Sequence, residues 1–166
     1  MNPENLNNDW HTLLFGVRRS VRYHEKRERF FHRLNRVVLF LNVAFGSAAV
    51  VAALSELGHG WIVTFSALVA VASALDLAVD TGNRARLHAD LRRRFVALES
   101  AMIGEEPDQE RLARFTRERL AIEQDEPPVL RALDVLCHNE LVRALGYGRQ
   151  HEHALPFWRR WLAQVW

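Results

Sequence analysis

The chain of 166 residues contains one cysteine, Cys137, and one lysine, Lys26. A lone cysteine excludes an intramolecular disulfide framework and any zinc site built from several cysteines. The excess of basic over acidic residues is only +2, too small to argue for a nucleic-acid partner. The sequence holds no GxGxxG, no GxxxxGK[ST], no GxSxG and no HExxH, so the common nucleotide, hydrolase and zinc-protease signatures are absent. Met1 to Asp9 lacks a basic stretch followed by an apolar one, so no cleaved signal peptide is expected there. No segment alternates apolar and polar residues with strand period, and the expected fold class is all-α.

The amounts that are present look ordinary until their positions are read. Apolar residues make up 49%, charged residues 25%, and the mean hydropathy is −0.16, all usual for a soluble globule. Yet from Val37 to Val79 only Glu56 and Asp76 are charged. Val37 to Leu54 is 18 residues without a charge, and as a helix it would extend roughly 27 Å. Ser55 to Gly60 breaks the run with turn-forming residues, and Trp61 to Val79 forms a second stretch of similar reach. Neither stretch has a polar stripe of the width that a buried helix of a soluble bundle shows. The spacing therefore predicts a transmembrane hairpin over 37–80, with spans 37–54 and 61–79 and an outer loop 55–60.

Basic residues flank both spans, including Arg29, Arg33 and Arg36 before the first and Arg84 and Arg86 after the second, and the loop between has none. The positive-inside rule then puts both termini in the cytoplasm and the loop outside. Trp61 falls at the outer boundary, where an indole ring is favoured. Small residues recur every four positions, Ala44, Ala48 and Ala52 on the first span and Ser66, Ala70, Ala74 and Ala78 on the second. That spacing lets helices approach closely, within a hairpin or between copies of it. Asn42 and Asp76 interrupt the spans at similar depth. With Ser66 and Ser73 they are candidate pore-lining groups; the plainer reading is a hydrogen bond from Asn42 to Asp76, or Arg36 paired with Asp76 or Asp80.

Outside the spans the chain reads as amphipathic helix. Residues 1–36 carry Trp10, Leu14, Val17, Val21, Phe31 and Leu34 on one face, and 81–147 opens with Leu87, Leu91, Phe95, Leu98 and Met102. Gly104 and Pro107 stop that helix, Asp108 to Gln124 forms another, and a further one runs from Pro128 to Leu145 before Gly146. The expected architecture is a transmembrane hairpin whose helices extend into a cytoplasmic bundle. Residues 148–166 would be a linker and a Trp/Arg-rich tail. Trp158 and Trp161, with Leu162 and Val165, share its apolar face, Arg159 and Gln164 turn to water, and Trp166 is a further interfacial anchor. The same tryptophans could instead dock the tail on the bundle.

No catalytic, cofactor-binding or metal residues are assigned. Cys137-His138-Asn139-Glu140 holds nucleophile-like types, but neighbours on a helix diverge by about 100°, so a buried Cys137 with its neighbours bonding another helix is expected. His151-Glu152-His153 offers adjacent ligands that do not converge on one ion.

The run RYHEKRERFFHRLNR before the first span, the tight hairpin and SALDLAVDTGNRARLHADLRRRFVALE after the second resemble the SLATT family of bacterial two-transmembrane proteins, over roughly Val21 to Glu99. PPVLRALDVLCHNELVRALGY resembles the carboxy-terminal helix common in such small proteins. The resemblance implies a pore-forming effector of bacterial conflict systems, working with the lipid bilayer, with further copies of itself and with a signalling or sensor protein encoded nearby. The alternative is a membrane-anchored adaptor whose cytoplasmic helices bind a partner protein. An enzyme is not expected.

Overall fold

The computed structural model describes residues 3–46 and 59–164. The described residues are helical with no strand: α1 (Pro3–Gly46), α2 (His59–Val79), α3 (Thr81–Met102), α4 (Gln109–Glu123), α5 (Arg131–Ala144), a single 3-10 turn (Arg149–His151) and α6 (Phe157–Leu162). They form two compact units, one of residues 1–27 and 87–166, the other of residues 28–86. The sequence boundaries at 36 and 80 both fall inside the second unit.

In the first unit the 3.6-residue stripes become a core. Trp10, Leu13 and Val17 of α1 pack with Leu91, Phe95, Leu98 and Met102 of α3 and with Phe115 and Ile122 of α4. Burying a side chain such as Phe95 stabilises the unit by about 1.5–3 kcal/mol. A smaller cluster of Tyr23, Ala132, Leu133, Cys137 and Ala163 seats α5 and the tail. Ion pairs follow α1: Arg18 to Glu99 at 2.8 Å, Arg19 to Asp134 at 3.2 Å and Lys26 to Glu140 at 2.9 Å. All six side chains are partly exposed, so each pair contributes no more than ~1 kcal/mol.

Local signals set the helix ends. Asp108 caps α4 by accepting from the Arg111 amide at 2.7 Å. Gly104 and Gly146 have φ of 87° and 76° after α3 and α5, a conformation that costs glycine little. The α5 start is corrected: the helix begins at Arg131 rather than Pro128, because extended Leu130 precedes it, its amide bonded to the Tyr23 hydroxyl at 3.0 Å.

The expectation for the tail is corrected in part. Ala163 is buried in the cluster with Tyr23 and Cys137, the Gln164 backbone carbonyl accepts from Arg27 Nη1 at 2.6 Å, and the Gln164 side-chain Oε1 is buried, so Gln164 turns inward and not to water. Phe157 and Trp158 stay exposed, with the Arg159 guanidinium 5.1 Å from the Trp158 ring centre. The Trp161 side chain and Trp166 lie outside the described residues.

In the second unit, residues 28–46 of α1 pair with α2 and the first turns of α3. Its buried side chains include Phe31, Val38, Thr81 and Ala85. Among the described residues no helix is long and apolar enough to cross a membrane. Residues 47–58, which include Ala48, Ala52 and most of the expected outer loop, lie outside the described residues.

Candidate functional site

The second unit concentrates the polar side chains that the sequence singled out. Ser73 on α2 donates to Asn42 Oδ1 on α1 at 2.9 Å. One level along, Thr81 lies with its hydroxyl against Asn35 Oδ1, at 3.3 Å, and against the Asp76 carboxylate. Partners 42 with 73 and 35 with 81 run in opposite senses along the two helices, so the segments are antiparallel. A hydroxyl has one hydrogen, and Thr81 can donate to only one of its two neighbours at a time.

Three of the four candidate pore-lining residues, Asn42, Ser73 and Asp76, are thereby brought onto one seam between α1 and α2, half-buried and bonded. Ser66 is not part of it and is exposed. The pairing differs from the sequence reading. Asn42 bonds Ser73 rather than Asp76, because the antiparallel register sets 42 opposite 73. Arg36 reaches back to the His32 carbonyl at 3.4 Å, while Asp76 takes Thr81 and Asp80 takes Asn83 Nδ2 at 2.7 Å.

The helix breaks at Asp80, whose φ of 53° is left-handed. Arg84 Nε donates to the Val79 carbonyl at 2.7 Å, satisfying an acceptor at the break, and its guanidinium lies 5.9 Å from the centre of the buried Phe31 ring. In the sequence Arg84 stands out only as a topology signal, and Thr81 and Asn35 stand out not at all. Their polar types on the edge of an apolar run were the available signal.

Around the seam the surface divides sharply. Arg29, Arg33, Arg36, Arg84 and Arg86 are all exposed, and a hollow of about 310 Å³ is lined by Glu28, Arg29, His32, Arg33, Asn35 and Arg36. From Val37 onward the exposed side chains turn apolar: Val37, Leu39, Phe40 and Val43 on α1, then Val63, Leu68, Val71, Leu75 and Leu77 on α2. Ala70, Ala74 and Ala78 are also exposed, so the small-residue ridge of α2 is not spent on packing against α1, whereas Ala44 is half-buried. The Trp61 side chain lies outside the described residues.

The first unit holds a polar cluster that sequence reasoning missed. His24 and His88 are buried with their Nδ1 atoms 2.9 Å apart, and His24 Nε2 lies 3.0 Å from Glu126 Oε1. Phe95 stacks on the His24 ring at 5.5 Å. Two facing Nδ1 atoms at that distance hold one hydrogen between them. His24 continues the apolar face through Val17 and Val21, and His88 continues the one through Leu91 and Phe95, while Leu87 is 38% exposed. That periodicity was the missed signal. Cys137 is buried in the neighbouring cluster, and burial pushes its thiol pKa up to about 12, although nearby Lys26 acts to lower it. A thiol so held is no nucleophile.

No protein-family model, curated protein or solved structure matches the chain.

Proposed function

We propose that the protein is a small bacterial inner-membrane effector whose residues 37–80 form a transmembrane hairpin that assembles with further copies and opens a regulated pore. The observation that carries this reading is the surface of the second unit, where large exposed apolar side chains begin directly after a group of exposed arginines. An apolar surface of that extent calls for lipid or a partner to cover it, and arginines at its border suit phospholipid headgroups on the cytoplasmic side. The exposed Ala70, Ala74 and Ala78 support association between copies, since small residues let helices meet closely in lipid. The resemblance to the SLATT family supports the effector role.

In this reading the Asn42–Ser73 and Asn35–Thr81 contacts join the two arms of the closed hairpin, Asp76 holds Thr81 within its own arm, and opening exchanges these contacts for water. The bonded state of these groups also favours the second reading, an inert anchor for an adaptor, because polar groups satisfied within the hairpin need no pore. Asp76→Leu separates the two. Wild-type protein in anionic liposomes is expected to release an entrapped dye, and Asp76→Leu to change that rate at least fivefold at equal incorporation. Protein that inserts, stays monomeric by crosslinking and releases no dye in either form would leave the anchor.

A further inference from the structure

Two sequence features without a role in the hairpin, Cys137-His138-Asn139-Glu140 and His151-Glu152-His153, meet in the first unit. Asn139 is buried, and its carboxamide binds the His153 backbone in both directions, accepting from the amide and donating to the carbonyl, each at 2.8 Å. His138 Nε2 lies 3.0 Å from the His151 carbonyl. These bonds pin the segment after α5 to the helix, and Tyr147 is turned back by its amide bond to the Val142 carbonyl at 3.0 Å.

The pinned segment closes a hollow of about 380 Å³ lined by Phe15, His138, Val142, Tyr147, His151 and His153. Five of the six residues present rings. The His138 and His153 rings lie 4.4 Å apart between centres at a tilt of 33°, Phe15 meets His138 edge-on at 5.2 Å, and Tyr147 lies 6.1 Å from His151. A second hollow, of about 430 Å³, is lined by Arg143, Arg149, Glu152, His153 and Ala154, so His153 borders both.

We infer that these adjoining hollows bind a small planar aromatic anion, its ring in the ring-lined cup and its negative group toward Arg143 and Arg149. The wall selects the ring, because aromatic faces and edges recognise a flat π-system better than an aliphatic chain. Charge selects the anion. No carboxylate lines the cup, and in the second hollow the two guanidiniums of Arg143 and Arg149 outnumber the single carboxylate, Glu152, which lies 3.6 Å from Arg143. An aromatic cage for an organic cation would need the opposite balance. The geometry also disfavours a metal ion: His138 Nε2 is taken up by the His151 carbonyl, and among the described residues no group of three His, Cys, Asp or Glu is placed to hold one. Pinning by Asn139 lowers the ordering cost of binding.

The test is calorimetric titration of the full chain in lipid nanodiscs, with empty discs as the blank. The probes are 2-naphthalenesulfonate, the ring-bearing cation trimethylphenylammonium, and methanesulfonate, an anion without a ring. The expected result is one saturable site for the naphthalenesulfonate, at least tenfold weaker binding of the cation and none of methanesulfonate. Tyr147→Ala, at an exposed side chain, should weaken the naphthalenesulfonate at least fivefold. Arg149→Ala should narrow the gap between the two ring probes. Absence of saturable binding, a preference for the cation, or binding unchanged in both variants would overturn the proposal. Far-UV circular dichroism of each variant confirms that the helices persist.

Discussion

The Cys137 thiol shows how burial, against the opposing pull of nearby Lys26, sets a residue's chemistry. Its pKa stands at about 12 in the folded chain against an ordinary 9.0, and burial likewise raises the Tyr23 hydroxyl above its usual 10.0. Both groups are neutral acids that folding keeps protonated. The thiol's contribution to stability is therefore complete below pH 9 and is lost as pH rises toward 12, that of the tyrosine starts to be lost only above pH 10, and each group gives up at most about 1.4 kcal/mol per pH unit. The thermal midpoint should fall as pH is raised from 8 to 11, and the fall should be shallower in Cys137→Ala. An unchanged slope in the variant would mean that the thiol does not titrate with unfolding. Iodoacetamide at pH 8 should leave the folded chain unmodified and label Cys137 on denaturation. Asn139 makes a second residue-scale case. Asn139→Ala leaves the His153 amide and carbonyl without their partners and should cost about 1–3 kcal/mol. Hydrogen exchange over residues 148–156 should speed up while the exchange of α4 stays as it is; uniform acceleration would show the clamp to be part of global stability instead.

At the scale of elements, periodicity exposed most of what the sequence could tell. Val17, Leu91, Phe95, Leu98, Met102, Phe115 and Ile122 lie in the core as the helical spacing indicates. Where a stripe passes through histidine, as at His24 and His88, hydropathy conceals the buried face, because the side chain is buried by finding polar partners. Helix ends governed by local caps, such as Asp108 before α4 and Gly146 after α5, were legible; the start of α5 was not, since it depends on a bond from distant Tyr23. The break between α2 and α3 is of the same kind. Nothing in Val79-Asp80-Thr81 demands a left-handed residue, and the break relies on Asn83, Arg84 and Thr81 around it. Asp tolerates that conformation better than most side chains, and a β-branched residue does not. Asp80→Val should lower the unfolding free energy by about 1–2 kcal/mol, whereas Asp80→Gly should be neutral within about 1 kcal/mol, its easier backbone offsetting the lost Asn83 bond. Chemical denaturation in micelles compares the two. Equal losses would show that the carboxylate, and not the backbone, matters at this position.

At the scale of the molecule, the segregation of charge is the feature that sequence and structure share. An arginine at the centre of a bilayer costs about 2.5–3.5 kcal/mol, so a chain cannot place such residues freely along a span. That constraint is one-dimensional and is written directly into residue order. The seam between α1 and α2 is not, since it depends on which residues an antiparallel register sets opposite one another. The exposed arginines at 29, 33, 36, 84 and 86 and the apolar surface that follows them make the proposed orientation testable apart from any pore. Substituting Arg29, Arg33 and Arg36 with Glu removes the basic signal nearest the first span, while Arg84 and Arg86 keep that of the second. These three side chains are exposed, so the helix they stand on should survive the change. In spheroplasts treated with an external protease, a tag at the amino terminus should be protected in the wild type and cut in a substantial fraction of the triple variant. Restoring a single arginine at position 36, beside Val37, should recover part of the protection. A tag cut equally in wild type and variant would refute a cytoplasmic amino terminus. One protected equally in both would show that arginines elsewhere in the chain hold the orientation.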